Sequence, residues 1–276
     1  MISSRAQRLW NPSAYLSFSG ERLRPALDLL SQARMTLDSP PRHIIDLGCG
    51  TGNIVPFLRD AWPESKILCL DSSVDMLKKA RESHSSLKLS GIEYQQTDFE
   101  SFQAENVDLI FSNAALHWVS FDVHKTLIPR LMSFLRPGGV LAFQIPDTRN
   151  QPSHLLMTES AKELGFGERI KQTRWVTCER DARDYYGILS PHSSIISMWH
   201  TRNAMILDGD NPVADFTAST GLGPYVDALG GNGSEDGQAF IQRYRENIAK
   251  AYPKEENGKT IFEFNRFYLI AKKSEK

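Results

Sequence analysis

Cysteine is scarce in this sequence, and the three that occur are not spaced for disulfide or metal chemistry. Cys49, Cys69 and Cys178 are odd in number and form no CxxC pair. None of them lies at a zinc-type spacing from the seven histidines. A disulfide scaffold and a structural zinc site are therefore excluded as interpretations.

Long hydrophobic runs and an excess of one charge are also missing. No stretch of ~18 apolar residues occurs, and none follows the basic residues at the start, so neither a membrane span nor a secretion signal is expected. The 32 basic and 33 acidic side chains give a net charge of -1, without the basic excess of nucleic-acid-binding proteins. We expect a cytoplasmic protein with a small-molecule partner, no nucleic acid and no membrane, and the sequence is compatible with a monomer.

What is present is an alternation of apolar runs and segments with helical periodicity. Strands are predicted at 43–47, 66–70, 92–95, 107–111 and 140–145, and helices between them at 53–61, 74–83 and 123–135. Strands that alternate with helices indicate βαβ units and a parallel sheet. Because the strands are almost continuously apolar, helices are expected to cover both faces of that sheet.

The pattern changes after Pro146. Residues 147–176 are polar with a helical character, 181–189 predict a helix, and 195–207 and 260–271 predict two late strands. Residues 208–259 form a long insertion, which we interpret as a lid or binding surface. We predict one domain over 1–276, with an N-terminal helical cap at 1–40, a cofactor-binding core at 41–146, substrate-cap insertions at 147–180 and 208–259, and sheet-completing segments at 181–207 and 260–276.

The sharpest local pattern is a glycine loop between the first strand and its helix. Gly48, Gly50 and Gly52 alternate after Asp46, which allows a tight turn and a close approach of backbone to ligand. Asp71 follows about twenty residues later, where a carboxylate can accept hydrogen bonds from ribose hydroxyls. The two features together indicate an adenosine-bearing ligand, although an ordinary strand-to-helix turn stays open. A dinucleotide is disfavoured because Asn53 stands where its fingerprint requires a third glycine.

This loop, DLGCGTG, resembles the first motif of the class I S-adenosylmethionine-dependent methyltransferases. The segments LCLDSS, QQTDFES, VDLIFSNAALHW and LRPGGVLAF resemble further motifs in the same order, over residues 42–144. The resemblance implies an α/β, Rossmann-like seven-stranded sheet, mostly parallel, with helices on both faces and an antiparallel last strand. It also implies S-adenosylmethionine as cofactor and S-adenosylhomocysteine as product.

The resemblance assigns cofactor residues as well. Asp46 and the glycine-loop backbone would contact the methionine moiety, Asp71 the ribose and Asp98 the adenine amine, while the segment after the fourth strand would lie near the sulfonium. The complete set comprises Tyr15, Arg24, Asp46, Gly48, Cys49, Gly50, Gly52, Asp71, Ser72, Met76, Asp98, Phe99, Asn113, Ala114, Leu116, His117 and Trp118. Simpler interpretations stay open: Asp98 as a helix cap, Cys49 as a small filler and His117 as a surface histidine.

A finer resemblance lies outside the common fold. WNPSAYLSFSGERLRPALDLL, QIPDTRNQPSHLLM, DYYGILS, TASTGLGPY and FNRFYLIAKK look like segments of the trans-aconitate 2-methyltransferases. That family methylates one carboxylate of a small tricarboxylate, for which arginine, tyrosine and histidine donors are suitable. The predicted substrate-binding residues are Arg22, His154, Tyr185, Tyr186 and Arg266. Gly223 departs from the family, which has arginine there, so the acceptor could be a different acid.

No catalytic residue is predicted, because a carboxylic acid with a pKa near ~4 is already ionised at neutral pH and needs no general base. The protein then contributes positioning alone. Three alternatives stay open: methylation of another small or carrier-bound acid, a noncatalytic S-adenosylmethionine-binding protein, and a nucleotide-dependent oxidoreductase. For Arg266 a solvent-facing edge position is the competing interpretation, and for Tyr185 and Tyr186 it is packing.

Overall fold

One seven-stranded sheet organises the chain. The computed structural model describes residues 19–218 and 220–275, with side chains from residue 23 onward. The strands are β1 (His43–Leu47), β2 (Lys66–Asp71), β3 (Ile92–Gln96), β4 (Val107–Asn113), β5 (Leu135–Pro146), β6 (Ser193–Leu207) and β7 (Thr260–Lys273). Their order is β3-β2-β1-β4-β5-β7-β6, with β1 to β5 pairing in parallel and β7 antiparallel to β5. The predicted fold class is confirmed.

Helices connect the strands as the alternation predicted. They are α1 (Ser19–Thr36), α2 (Val55–Ala61), α3 (Val74–Ser86), α4 (Phe121–Phe134), α5 (Pro152–Glu163), α6 (Ala182–Leu189), α7 (Pro212–Ala218), α8 (Gly223–Ala228) and α9 (Glu235–Ala251), with a short 3-10 turn at Leu116–Trp118. The Ser73 hydroxyl caps α3 and the Ser120 hydroxyl caps α4, each accepting from a backbone N–H three residues on.

The bounds of some elements differ from the prediction. Helix α2 begins two residues late, because Gly52 has a φ of 74° and the chain is still turning at residue 53. Strand β5 begins at Leu135, which pairs with Val107 ahead of a register shift, although the Pro-Gly-Gly sequence there resembles a turn. Within 147–176 only α5 is α-helical, and the short helices α7 and α8 were not predicted.

Both faces of the sheet are covered, as the apolar strands predicted. Successive residues of one strand belong to different hydrophobic clusters: Ile44 and Leu109 lie in one, and Ile45 and Ile110 in the other. This alternation follows from the two-residue side-chain period of a strand. The carboxyl ends of β1, β2 and β4 carry the predicted cofactor residues.

The chain divides into two compact units. Within the described residues, the sheet unit comprises 22–146, 178–201 and 266–275, and the helical unit comprises 19–21, 147–177, 202–218 and 220–265. The helical unit has its own core, which includes Phe216, Phe240, Tyr244, Ile248 and Phe262. A single-domain organisation stays a prediction. Among the described residues, no helix combines the length and hydropathy needed to cross a bilayer.

Candidate functional site

The glycine loop follows the end of β1 and has a backbone conformation with positive φ, which is strained for residues that carry a Cβ. Gly48, Gly50 and Gly52 have φ angles of 73°, 56° and 74°. A Cβ on Gly48 would lie 2.3 Å from Cβ of Ala115, and one on Gly52 would lie 2.4 Å from the His84 ring. A Cβ on Gly50 would meet nothing within 4 Å. The loop is thus packed at both ends and open in its middle.

Four of the five amide protons at positions 48–52 are already donated within the protein. The N–H groups of Gly48 and Cys49 both donate to the Leu70 carbonyl, at 2.8 and 2.9 Å. Gly50 donates to Oδ2 of Asp71 at 2.8 Å, and Gly52 donates to the Cys49 carbonyl. A pyrophosphate site depends on such N–H groups as its donors. The hydrogen bonding therefore argues against the dinucleotide alternative.

A buried carboxylate, Asp46, and a partly buried one, Asp71, lie beside the loop. Oδ2 of Asp46 is buried and has no hydrogen-bond partner within the described part of the chain, and burial together with the charge of Asp71 raises the pKa of Asp46 to about 7. Asp71 accepts from Gly50 on one oxygen and from Ser73 on the other, each at 2.8 Å. Burial raises the pKa of Asp71, and these N–H donors oppose that shift. A paired acidic site of this kind favours a ligand with a cationic group.

The burial of Asp46 makes the free energy of unfolding depend on pH, and this can be measured without ligand. Its folded-state pKa lies above its unfolded value, so the stability it contributes is complete below about pH 4 and is lost as the pH rises through about 7. Asp46→Asn removes this titration. We expect urea unfolding to show the variant more stable than the parent at pH 8, by roughly 2–4 kcal/mol, and little different at pH 4.

An exposed carboxylate provides the matched control for this prediction. Asp60→Asn should change the unfolding free energy by the same small amount at both pH values. If Asp46→Asn behaves like this control, Asp46 is not a buried carboxylate that ionises near neutrality.

The rest of the predicted cofactor set near β2 takes ordinary structural positions. The Ser73 hydroxyl accepts from the Met76 N–H at 3.3 Å, and Met76 is buried, whereas Ser72 is exposed. A hydrogen bond with Cys69, together with burial, raises the pKa of the Cys49 thiol. A protonated thiol is a poor nucleophile, which supports the interpretation of Cys49 as a filler.

The end of β4 carries a strained residue at a predicted site position. Ala114 has a φ of 50°, which is uncommon for a residue other than glycine. Its N–H donates to the Gln144 carbonyl at 2.9 Å, and Oδ1 of Asn113 accepts from Nε2 of Gln144 at 2.5 Å. Such strain persists where surrounding contacts fix it, and it is concentrated at functional sites. The turn that follows buries Leu116 and His117 and leaves Trp118 partly exposed.

Asp98 caps its own turn. Oδ1 accepts from the N–H groups of Glu100 and Ser101 at 2.9 and 2.7 Å, and from the Ser101 hydroxyl at 2.6 Å. The Ser101 hydroxyl is the main group that lowers the pKa of Asp98. The neighbouring Phe99 ring lies against Gly48, so this turn adjoins the glycine loop. Contact of Asp98 with adenine stays a prediction.

The structure reveals two supporting residues that the sequence did not. Nε2 of His84 lies 3.0 Å from the Gly52 carbonyl, and Nδ1 lies 2.6 Å from the Tyr94 hydroxyl. Since a carbonyl only accepts, Nε2 carries the proton and Tyr94 donates to Nδ1. Burial lowers the pKa of His84 and keeps it neutral. Arg130 donates to the Phe102 carbonyl at 2.6 Å, which anchors the turn after Asp98.

Two of the predicted acceptor residues, Arg266 and Tyr185, are buried. Arg266 is 4% exposed within β7, and its Nη1 donates to Oε1 of Gln144 at 3.2 Å, so it is not a solvent-facing edge residue. The Tyr185 ring is 1% exposed, packs against Phe121 and Phe267, and has its hydroxyl 3.0 Å from Nδ1 of His124. This packing favours the competing interpretation of Tyr185 as a core residue, and its contact with an acceptor stays a prediction.

The remaining predicted residues are placed as follows. Tyr186 is 56% exposed. His154 is buried in the helical unit, parallel to the Trp175 ring, and burial lowers its pKa to about 3, so it is neutral. Arg24 is exposed and paired with Asp28 at 2.8 Å. Tyr15 and the side chain of Arg22 lie outside the described residues.

Comparison with solved structures gives the fold. The YcgJ protein from Bacillus subtilis has a TM-score of 0.55 at 14% identity, with 90% of this chain and 98% of that chain covered. Haemonchus contortus phosphoethanolamine N-methyltransferase 2, solved with phosphomonomethylethanolamine and S-adenosylhomocysteine, has a TM-score of 0.54 at 12% identity, with 91% and 52% covered. At these identities the likeness supports a Rossmann-like methyltransferase fold.

Comparison with sequences gives the family. Residues 44–139 match the model of a methyltransferase domain. The chain is 36% identical to a trans-aconitate 2-methyltransferase of Azoarcus sp. (strain BH72) over 263 residues, 95% of this chain and 98% of the relative. It is also 36% identical to the Shigella flexneri enzyme of that name, over 96% and 99%. The acidic site and the open loop at Gly50 fit S-adenosylmethionine, which carries a sulfonium and an ammonium group. The chain belongs to the trans-aconitate 2-methyltransferase family of S-adenosylmethionine-dependent methyltransferases.

Proposed function

We propose that this enzyme transfers a methyl group from S-adenosylmethionine to a carboxylate of trans-aconitate, forming a methyl ester. The extent of the similarity to the curated relatives carries this proposal. It covers 95% of the chain, whereas the common methyltransferase model matches only 44–139. The helical unit therefore belongs to the similar region, and a shared acceptor is the simplest reason for that similarity.

Residues of the sheet unit would hold the cofactor. Asp46 suits its ammonium group, Asp71 its ribose hydroxyls and the Asp98 turn its adenine. Each Asp71 oxygen accepts one backbone N–H and retains a lone pair for a hydroxyl. When bound, S-adenosylmethionine supplies an electrophilic methyl group on a positively charged sulfur.

The chain's own task is to bind and orient the acceptor. At neutral pH a carboxylate acceptor is already ionised, so the site needs no proton-accepting residue. Arg266 is buried and carries a charge at every accessible pH, so its guanidinium can anchor a carboxylate and exclude water from it. Orienting two reactants in this way is worth several kcal/mol, about 7–11 in favourable intramolecular models.

Methyl transfer from labelled S-adenosylmethionine to trans-aconitate, cis-aconitate, isocitrate, malonate and a fatty acid tests the proposal. We expect selective labelling of trans-aconitate, and alkaline hydrolysis should release the label as methanol because the product is an ester. Gly223 makes malonate the most informative competitor, since an acceptor with fewer charges would need fewer arginines. Preferential labelling of malonate would identify malonate, not trans-aconitate, as the substrate. Cofactor binding without any methyl transfer would favour a noncatalytic S-adenosylmethionine-binding protein.

We also propose that the enzyme acts in the cytoplasm as a monomer on a free acid, without nucleic acid. The near-neutral charge of -1 supports a free acid and the absence of nucleic acid, because a phosphate backbone or an acidic carrier protein would be bound by a basic surface.

A further inference from the structure

His84 holds the last glycine of the glycine loop from helix α3. Its side chain is buried, and its Nε2 donates to the Gly52 carbonyl at 3.0 Å. The same carbonyl accepts the N–H of Val55 at 3.0 Å, so both of its lone pairs are used. Gly52 in turn donates its own N–H to the Cys49 carbonyl at 2.9 Å. The peptide groups on both sides of Gly52 are therefore fixed by hydrogen bonds.

The imidazole ring also lies directly against the Gly52 backbone. A Cβ on Gly52 would lie 2.4 Å from Cε1 and 2.6 Å from Nε2 of His84, and 3.3 Å from Cβ of Ala80. Glycine loses more backbone freedom on folding than any other residue, so a glycine-rich loop needs contacts that restrict it. His84 provides two such contacts, a hydrogen bond to the carbonyl and ring packing at the Cα.

Tyr94 on β3 fixes the tautomer of His84. Its hydroxyl lies 2.6 Å from Nδ1, and burial raises the pKa of Tyr94 to about 12, so the hydroxyl stays protonated and donates. Nδ1 therefore accepts and Nε2 carries the proton, which is the tautomer that the Gly52 carbonyl requires. Arg81 holds Tyr94 in turn, because its guanidinium lies 5.1 Å from the centre of the Tyr94 ring and donates to the Tyr94 carbonyl at 3.3 Å.

The part of the loop that a ligand can approach lies between two supports. A Cβ on Gly50 would meet nothing within 4 Å, so this residue is open. Its N–H is held by Oδ2 of Asp71, and two residues later Gly52 is held by His84. A backbone surface that is fixed on both sides is preorganised, so a ligand does not have to restrict the flexible glycines when it binds.

We propose that His84 is a positioning residue for the cofactor, which presents the glycine loop to the methionine moiety of S-adenosylmethionine by holding the Gly52 carbonyl. In this role His84 acts through Gly52 and does not contact the cofactor. The inference rests on the proposed function only where that function places the methionine moiety at the loop, and it is independent of the acceptor.

Two amide substitutions separate the roles of the two ring nitrogens. The amide nitrogen of glutamine lies as many bonds from Cα as Nε2 of histidine, and the amide oxygen of asparagine lies as many bonds from Cα as Nδ1. His84→Gln therefore keeps a donor for Gly52, whereas His84→Asn keeps only an acceptor for Tyr94. We expect His84→Asn to raise the dissociation constant of S-adenosylhomocysteine, measured by calorimetry, at least about tenfold, and His84→Gln to raise it less than about threefold.

A second ligand gives a measurement that a general loss of stability would not change selectively. 5′-Methylthioadenosine lacks the amino-acid end of the cofactor, so its dissociation constant should change less than about twofold in His84→Asn. Glu82→Asn is the matched control, because Glu82 is exposed on the same helix and its replacement measures the cost of asparagine there. Its affinity for both ligands should stay within about twofold of the parent.

Two results would overturn the positioning role: no increase of the S-adenosylhomocysteine dissociation constant in either variant, or equal increases in both. If the parent binds the two ligands equally well, the loop does not contact the methionine moiety, and that part of the proposed function is withdrawn together with this inference. Should His84→Asn not fold, Tyr94→Phe decides, because it removes the hydroxyl that fixes the tautomer. It should weaken binding of S-adenosylhomocysteine about threefold and leave that of methylthioadenosine unchanged, and unchanged binding of both would contradict the proposal.

Discussion

Replacing Asp71 by alanine is expected to weaken S-adenosylmethionine binding by at least a hundredfold. The substitution removes the acceptor proposed for the ribose hydroxyls, and two hydrogen bonds to a charged group are worth about 3 kcal/mol or more. It also removes the bond that Oδ2 of Asp71 accepts from Gly50, so the glycine loop loses part of its support. Calorimetric titration of the purified variant with S-adenosylmethionine measures the effect.

Asp75→Ala is the matched control, because Asp75 is an exposed acid four residues further along the chain. Its cofactor affinity should stay within about twofold of the parent. Thermal unfolding of both variants without cofactor separates a lost ligand contact from a lost fold. A folded Asp71→Ala variant with unchanged affinity would remove Asp71 from the cofactor site.

The sheet was predictable because its determinants are local. Apolar runs mark β1 to β4 to within two residues, since hydrophobic patterning is a property of the local sequence. The start of β5 was missed, because pairing with β4 overrides the local turn preference of its Pro-Gly-Gly sequence. The glycine loop and Asp71 were recognisable in the sequence for the same reason, because each is a short contiguous motif at the end of a predicted strand, β1 or β2.

The supporting residues could not be found in this way, because their contacts join distant parts of the chain. His84 reaches Gly52 across 32 residues, and Gln144 reaches Arg266 across 122. Tyr185 and Tyr186 show a further limit of a single sequence. Adjacent residues on a helix project about 100° apart, so one enters the core and the other faces solvent, and the pattern does not say which.

The other large effect is expected at Arg266. Arg266→Met should raise the KM for trans-aconitate at least a hundredfold and change the cofactor dissociation constant by less than about fivefold, because a buried charge-assisted pair with a carboxylate is lost only from the acceptor side. Arg266→Lys keeps the charge but loses the planar guanidinium, so its KM for trans-aconitate should lie between those of the parent and of Arg266→Met. Steady-state kinetics with each substrate varied in turn gives both constants.

Arg202→Met is the control for a generic loss of positive charge, since Arg202 is an exposed arginine in the neighbouring strand β6. It should leave both constants near those of the parent. Measurements with both ligands distinguish the possible roles of Arg266. If Arg266 binds the acceptor, Arg266→Met changes only the acceptor KM, and if it binds the cofactor, the substitution changes the cofactor dissociation constant. If its role is purely structural, the substitution lowers stability and changes neither constant. Equal shifts for both ligands would mean that Arg266 supports the site as a whole, and the residue that binds the acceptor carboxylate would have to be sought elsewhere.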